Sequence, residues 1–324
     1  MSLLARNSPL RIFAFSGLGS VAIITAVLWG LGPAALVTTL ILVVIEITFS
    51  FENAIINAKI LTTMSRFWQT MFLTIGILIA IFGMRIIFPI AMVSLSIGLP
   101  WQTVLDLALH SPDEYAAHLS EAHTSIAAFG GAFLLMLAGS FFFDRSRQTH
   151  WFKKPEQFMQ KFGSRWIPVV IAAGALGAVA IASDHTSTIL TAGAIGIVTY
   201  MVINGLAEFF GTLQQNGKKK VAKRVGFAAF LTFLYLELLD ASFSLDGVIG
   251  AFAITDKVIL IAAGLGVGAL WVRSMTVYMV RHESLKKYAY IEHGAHYTVL
   301  VLAIVMLTSE LVPVPEAVAG ITGI

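Results

Sequence analysis

The segment Glu46-Ile-Thr-Phe-Ser-Phe-Glu-Asn-Ala-Ile55 returns far downstream as Asp240-Ala-Ser-Phe-Ser-Leu-Asp-Gly-Val-Ile249. Both read acid, spacer, hydroxyl, Phe, Ser, apolar, acid, and both lie inside long apolar stretches. Acids repeated in such a setting decide the fold, because a carboxylate surrounded by lipid-length apolar sequence must face protein, water or an ion.

The surroundings of the motif identify the solvent. The chain has 324 residues, of which 57% are hydrophobic and 12% charged, and its mean hydropathy is +0.85. A soluble core of this size cannot hide that much apolar surface. Stretches such as 67–99 and 225–254 exceed the roughly 20 residues needed to cross a bilayer, and they lack the alternation of a membrane barrel. The expected fold is all-α: a polytopic helical membrane protein with about nine spans, near 11–31, 34–58, 67–98, 124–143, 166–183, 186–210, 226–252, 257–280 and 294–312. The basic start Met1–Arg11 precedes a span-length segment with no small-residue cleavage site, so no removed leader is expected. The absence of cysteine excludes disulfides, iron–sulfur clusters and thiolate metal sites.

With the N-terminus cytoplasmic, the inside segments hold all of the 21 lysines and arginines except Lys257, Arg85 and Arg273. The outside loop 99–123 carries Asp106, Asp113, Glu114 and Glu121 and no cation. The positive-inside rule therefore predicts an N-terminus in and a C-terminus out. The runs Lys153-Lys154 and Lys218-Lys219-Lys220 read as topology determinants against anionic lipid. The net positive charge is explained by this placement, and no nucleic-acid partner is expected.

The motif match extends into the next span. Gly76 precedes Arg85 by nine residues, as Gly264 precedes Arg273, after a six-residue length difference (30 residues from Glu46 to Gly76, 24 from Asp240 to Gly264). Spans 124–143 and 294–312, with His123 and His296 near their starts, would complete two three-helix units. A single membrane domain is expected, with repeat one at 34–143, linking spans at 166–210 and repeat two at 226–312. Their first helices are five spans apart, so the units cross in opposite directions, the inverted repeat that secondary transporters use.

Glu46, Glu52, Glu237, Asp240 and Asp246 lie in or near the spans, where a charge costs about 2.5–3.5 kcal/mol on insertion scales. Arg85 and Arg273 are expected to pair with acids, but two cations cannot neutralise five carboxylates. On unbroken helices Glu46, Ser50 and Asn53 share one face, as do Glu237, Asp240 and Ser244, while Glu52 and Asp246 point about 120° away. Either the helices unwind near the Phe-Ser step or the two acids of each motif do separate jobs. Carboxylates, the Asn53 amide and hydroxyls form an all-oxygen ligand set that suits hard divalent cations, Mg²⁺, Ca²⁺ or Mn²⁺, better than soft metals. A monovalent ion or protons could use it too.

Glu-x-x-x-Ser-x-Glu-Asn at Glu46–Asn53 and Leu-Asp-x-Ser-Phe-Ser-Leu-Asp-Gly at Leu239–Gly247 resemble the signature of the TerC integral membrane family. The resemblance covers about 34–312 and is narrower to a bacterial branch with a Glu-His-Gly-Ala-His segment, here Glu292–His296. It implies an all-helical inner-membrane protein, linked by name to tellurium resistance, whose better understood relatives look like manganese exporters. By motif position it implies Glu46, Glu52, Asn53, Asp240 and Asp246 as ion-binding residues. Glu52 stands where the better known members have Asp, and Gly247 stands in the second motif where the first has Asn53.

His293 and His296 do not have the His-Glu-x-x-His spacing of a metalloprotease, and they read as a polar start to the last span. No phosphate-cradling loop, nucleotide motif or nucleophile–base pattern is present, so neither an enzyme nor a bound cofactor is expected. The expected function is a gradient-driven secondary transporter of a divalent cation, Mn²⁺ first, coupled to protons, with the metal as cargo. The competing expectation is a membrane scaffold or assembly factor in metal or tellurite stress, its acids acting as polar glue.

Overall fold

The computed structural model describes residues 8–215, 224–252, 254–255, 257–288, 290–309 and 311–312; the run Lys218-Lys219-Lys220 and the side chains of Ser244 and Asp246 lie outside the described set. Among the described residues every regular element is helical. The elements are α1 (Pro9–Phe49), α2 (Phe51–Thr62), α3 (Arg66–Leu78), a π-helical segment (Ile79–Ile87), α4 (Phe88–Ile97), α5 (Trp101–His110), α6 (Pro112–Phe142), α7 (Lys153–Lys161), α8 (Trp166–Ala182), α9 (Thr186–Gln215), α10 (Gly226–Phe252), α11 (Val258–Arg281), α12 (Ser284–Lys287) and α13 (Ile291–Thr308).

Seven of these helices are long and apolar enough to cross a membrane, or eight if the bent pair α7 and α8 counts as one span. The protein is thus a polytopic all-α membrane protein. The expected spans map onto these helices with two exceptions: the first two fall in α1, which turns between them, and α8 has 17 residues, about 26 Å of helix against a core of about 30 Å.

α1 is two helices joined end to end. Its 41 residues would extend about 60 Å if straight, twice a bilayer core. Gly32 breaks it with φ 88° and ψ 178°, and Pro33 follows. The positive φ is open to glycine at no steric cost. Contacts with α11 trace the path on either side. In the first arm Phe13 stacks on Trp271, the Ser16 and Ser274 hydroxyls meet at 2.8 Å, and Val27 packs on Leu260. These contacts run in opposite directions along the two elements. In the second arm Ala35 meets Leu260, Leu42 meets Gly264 and Glu46 meets Gly268, so the numbers rise together. The chain therefore reverses at Gly32, and α11 lies along both arms.

The described residues form two compact units. In the first (residues up to 62, 66–122 and 243–284) α11 is the central helix. The second (63–65, 123–242 and 285 onward) holds the buried stretch of α6. Nearly every residue from Ile126 to Ala138 is buried, and small residues let its neighbours approach. A side chain at Gly196 of α9 would strike the Phe129 carbonyl, and one at Gly131 would come within 3.2 Å of the Ala303 carbonyl of α13. Phe133, Tyr200 and Tyr235 close a ring of edge and tilted contacts among α6, α9 and α10.

Polarity is arranged for lipid. Leu18, Trp29 and Ile181 are 73%, 86% and 88% exposed, whereas Ser16, Ser20 and Thr39 are buried. Such outward apolar surface on long helices suits a hydrocarbon surrounding. The segment 99–123, expected as a solvated loop, is largely helical. Val104 and Ala108, then Tyr115, Leu119 and Ala122, are buried at helical spacing. Pro112, Asp113 and Glu114 open α6 with the residues a helix N-terminus favours.

The hairpin makes a direct prediction in a chain without cysteine. Oxidant should cross-link both a Ser16→Cys/Ser274→Cys pair and a Leu42→Cys/Gly264→Cys pair, read as a mobility shift after cleavage between α1 and α11. In a straight α1, residues 16 and 42 would lie about 39 Å apart, while 264 and 274 lie only about 15 Å apart, so one pair would fail.

Candidate functional site

Glu46 is the best defined of the sequence-selected acids. It sits in the last turn of α1 and is 4% exposed. Helical geometry lapses at Ser50 (φ −103°, ψ 13°), and α2 resumes at Phe51. The first motif is therefore broken between its two acids. The second motif is not, since α10 runs from Gly226 to Phe252 through it. At the break the Ser50 N–H donates to the Glu46 carbonyl at 3.0 Å, and the Ser50 hydroxyl donates to the Glu46 carboxylate at 3.1 Å.

The counter-ion is Arg85, whose guanidinium donates to the Glu46 carboxylate and, through its other terminal nitrogen, to the Ala80 carbonyl at 2.5 Å. Both side chains are about 5% exposed. Arg85 belongs to the π-helical segment, a wide turn that is frequent at functional sites. Its local cause is Pro89, which has no N–H and whose ring would clash with the Arg85 carbonyl in a regular helix. The widened turn moves that carbonyl and aims Arg85 at Glu46.

Two glycines complete the pocket around this carboxylate. A side chain at Gly268 of α11 would collide with Glu46 Cβ and Cγ, and would lie 3.3 Å from the Val43 carbonyl. A Cβ at Gly247 of α10 would stand 3.5 Å from Glu46 Oε2. The second motif thus meets the first at Gly247, where anything longer than a methyl group would run into the carboxylate.

The remaining candidates are distributed. Glu52, Asn53 and Asn57 are buried on α2, in which every residue from Glu52 to Ala58 is buried. Glu52 is close enough to Glu46 for the two carboxyl groups to repel, and its Oε2 has no hydrogen-bond partner among the described residues. Glu237 and Asp240 are buried on α10 one turn apart, in the second unit. Ser244 and Asp246 lie outside the described side chains. Arg273, the sequence equivalent of Arg85, donates to the Phe72 carbonyl at 3.2 Å and sits 4.0 Å over the Phe72 ring. Among the described residues no three of His, Asp and Glu converge at metal-binding range.

A second polar centre, absent from the sequence reading, surrounds Glu156 of α7, which is fully buried. Its carboxylate accepts from the Trp151 and Phe152 N–H groups at 3.1 and 3.0 Å, from the Tyr297 hydroxyl at 3.0 Å and from Arg147 at 3.0 Å. His293 Nε2 lies 3.4 Å away and meets the Thr149 carbonyl at 2.9 Å. Arg147 also covers the Phe141 ring at 4.1 Å, and His296 stacks on the same ring at 3.7 Å. The Glu292–His296 segment thus docks the 145–165 stretch onto α13. Burial alone would raise the Glu156 pKa; the Phe152 N–H, the Tyr297 hydroxyl and the charges of Arg147 and His293 outweigh it and hold the carboxyl below its ordinary value. The available signal was a lone acid among the six cations from Arg145 to Arg165.

These features define a polytopic helical membrane protein built around a buried, internally paired carboxylate. The chain belongs to a family described as a protein of unknown function, DUF475, whose model matches residues 51–324. No curated protein and no solved structure matches it.

Arg85→Gln should destabilise the detergent-solubilised protein by about 3 kcal/mol, because Glu46 is left buried without its cation. The Glu46→Gln/Arg85→Gln double variant should recover part of that loss, giving a favourable coupling in a double-mutant cycle read by thermal denaturation. For Glu156 the folded pKa lies below the unfolded one, so its contribution is present above about pH 4.5 and is lost as pH falls through the depressed folded value. Wild type should therefore lose stability in that acid range more steeply than Glu156→Gln, which is already destabilised at pH 7.

Proposed function

We propose that the protein is a secondary transporter of a divalent cation, Mn²⁺ first, moved outward in exchange for protons. Two inverted three-helix repeats, 34–143 and 226–312, would alternate access to a site built from Glu46, Ser50, Glu52, Asn53, Glu237, Asp240, Ser244 and Asp246. The proposal sets the chain in a bacterial inner membrane with its N-terminus cytoplasmic and its C-terminus outside, as the lysine and arginine distribution suggests.

The observation that carries this reading is the pairing of Glu46 with Arg85 at a helix break, against the backbone of the second motif at Gly247. Broken helices and intramembrane carboxylates are where transporters place ion sites. A carboxylate neutralised by a side chain from a separate span can exchange that partner for a cation, and the freed arginine offsets the cation's departure. Repulsion between Glu46 and Glu52 favours uptake of a proton or a metal between them. The TerC resemblance of both motifs adds manganese export to this picture.

One observation favours the scaffold reading. The described carboxylates Glu46 and Glu156 find their cations inside the protein, as structural polar glue would.

Mn²⁺ flux into proteoliposomes, with and without an imposed pH gradient, separates the two. Wild type should carry Mn²⁺ at a gradient-sensitive rate, and folded Glu46→Gln/Asp240→Asn should not. Absence of flux for Mn²⁺, Ca²⁺ and Mg²⁺ by folded wild type would overturn transport in favour of the scaffold.

A further inference from the structure

The turn from α6 to α8 carries a helix that neither spans nor belongs to the Glu46 site. α7 has nine residues, Lys-Lys-Pro-Glu-Gln-Phe-Met-Gln-Lys, too polar for the bilayer interior. It meets α8 at an angle of 104°. When α8 stands across the membrane, α7 therefore lies close to the membrane plane.

Its faces are sorted for that position. At about 100° per residue, Glu156, Met159 and Gln160 form one sector, and these are the least exposed positions of the helix. The opposite sector presents Lys154 and Lys161 side by side, with Phe158 and the following Phe162 beside them. Both phenylalanines are more than half exposed, at 62% and 53%, and they stack edge-on at 5.0 Å. Trp166, 66% exposed, continues the aromatic row at the foot of α8.

The decisive point is the single acid of α7. Glu156 is turned inward and neutralised by Arg147, so the outward face of the helix keeps its lysines and shows no carboxylate. The nearest exposed acid in the sequence, Asp144, accepts from the Ser146 N–H and hydroxyl. Bulky aromatics beside lysines on an in-plane helix match the boundary between acyl chains and phosphate headgroups. We infer that α7 is an interfacial binding element for anionic phospholipid headgroups, seating Phe158, Phe162 and Trp166 at the acyl boundary and Lys153, Lys154 and Lys161 on lipid phosphates. This assignment is independent of what the protein transports.

The test uses the full chain in nanodiscs of equal parts phosphatidylcholine and phosphatidylglycerol. Gln157→Cys, the only cysteine, carries an environment-sensitive fluorophore. Its emission should be quenched by headgroup-labelled lipid and protected from aqueous iodide; quenching by iodide alone would overturn the in-plane placement. In the same discs, Lys153→Gln/Lys154→Gln/Lys161→Gln should lose affinity for labelled phosphatidylglycerol by about fivefold per lysine removed, while phosphatidylcholine exchange is unchanged and the matching Lys→Arg variant retains wild-type affinity. Equal affinity in the glutamine variant, or displacement of the labelled lipid by soluble glycerophosphate at comparable concentration, would sink the lipid assignment.

Discussion

A charge inside a bilayer has no water to turn to, and the Glu46–Arg85 pair is how this chain meets that constraint. The pair draws three parts of the fold together. It needs the second arm of α1 to deliver Glu46, a widened turn to redirect Arg85, and a glycine on α11 to leave room for the carboxylate's own Cβ and Cγ. Gly264 and Gly268 serve this packing for the whole first unit, because α11 approaches α1 so closely that larger residues would meet Leu42 and Glu46. Dispersion between close backbones, rather than a hydrophobic gradient, is what holds helices together in lipid. The site and the packing are therefore one arrangement.

The Glu156 centre applies the same physics at the membrane margin. A carboxylate with four donors and a histidine nearby fastens a nine-residue helix to the first two turns of α13. Without that anchor, a stretch with six cations and exposed aromatics would have no reason to keep a fixed angle to α8. Burying the one acid also changes what the outside of α7 displays.

Much of this was legible in the sequence. The apolar runs carry the membrane class, and the matched acid motifs point to Glu46 and its neighbours. Arg85 stood out as a cation within a span, and its partner proved to be an acid of the first motif. What was hidden depends on backbone detail that side-chain patterns do not carry. Gly32 and Pro33 read as a break between spans, where the chain does turn, but the positive φ that reverses it has no hydropathy signature. The π turn arises from Pro89 acting on the Arg85 carbonyl, which is a steric effect with no hydropathy signature. Likewise Arg85 and Arg273 occupy matching positions, but only the first lies in such a turn; Arg273 lies in the regular helix α11. The amphipathic start of α6 was masked by its acids, which suit the first turn of a helix as well as they suit a loop.

The reversal at Gly32 bears on the order in which the protein can be assembled. The two arms of α1 are made before the helices they pack on, and they carry Ser16, Ser20, Thr39 and Glu46 on faces that end up inside. Arg85 follows Glu46 by only 39 residues, so the charge is answered almost at once. Ser16, in contrast, waits for Ser274, 258 residues later. Until α11 is made, Ser16 lacks the helix that covers it, so the first and last helices of the first unit come together only after everything between them has been synthesised.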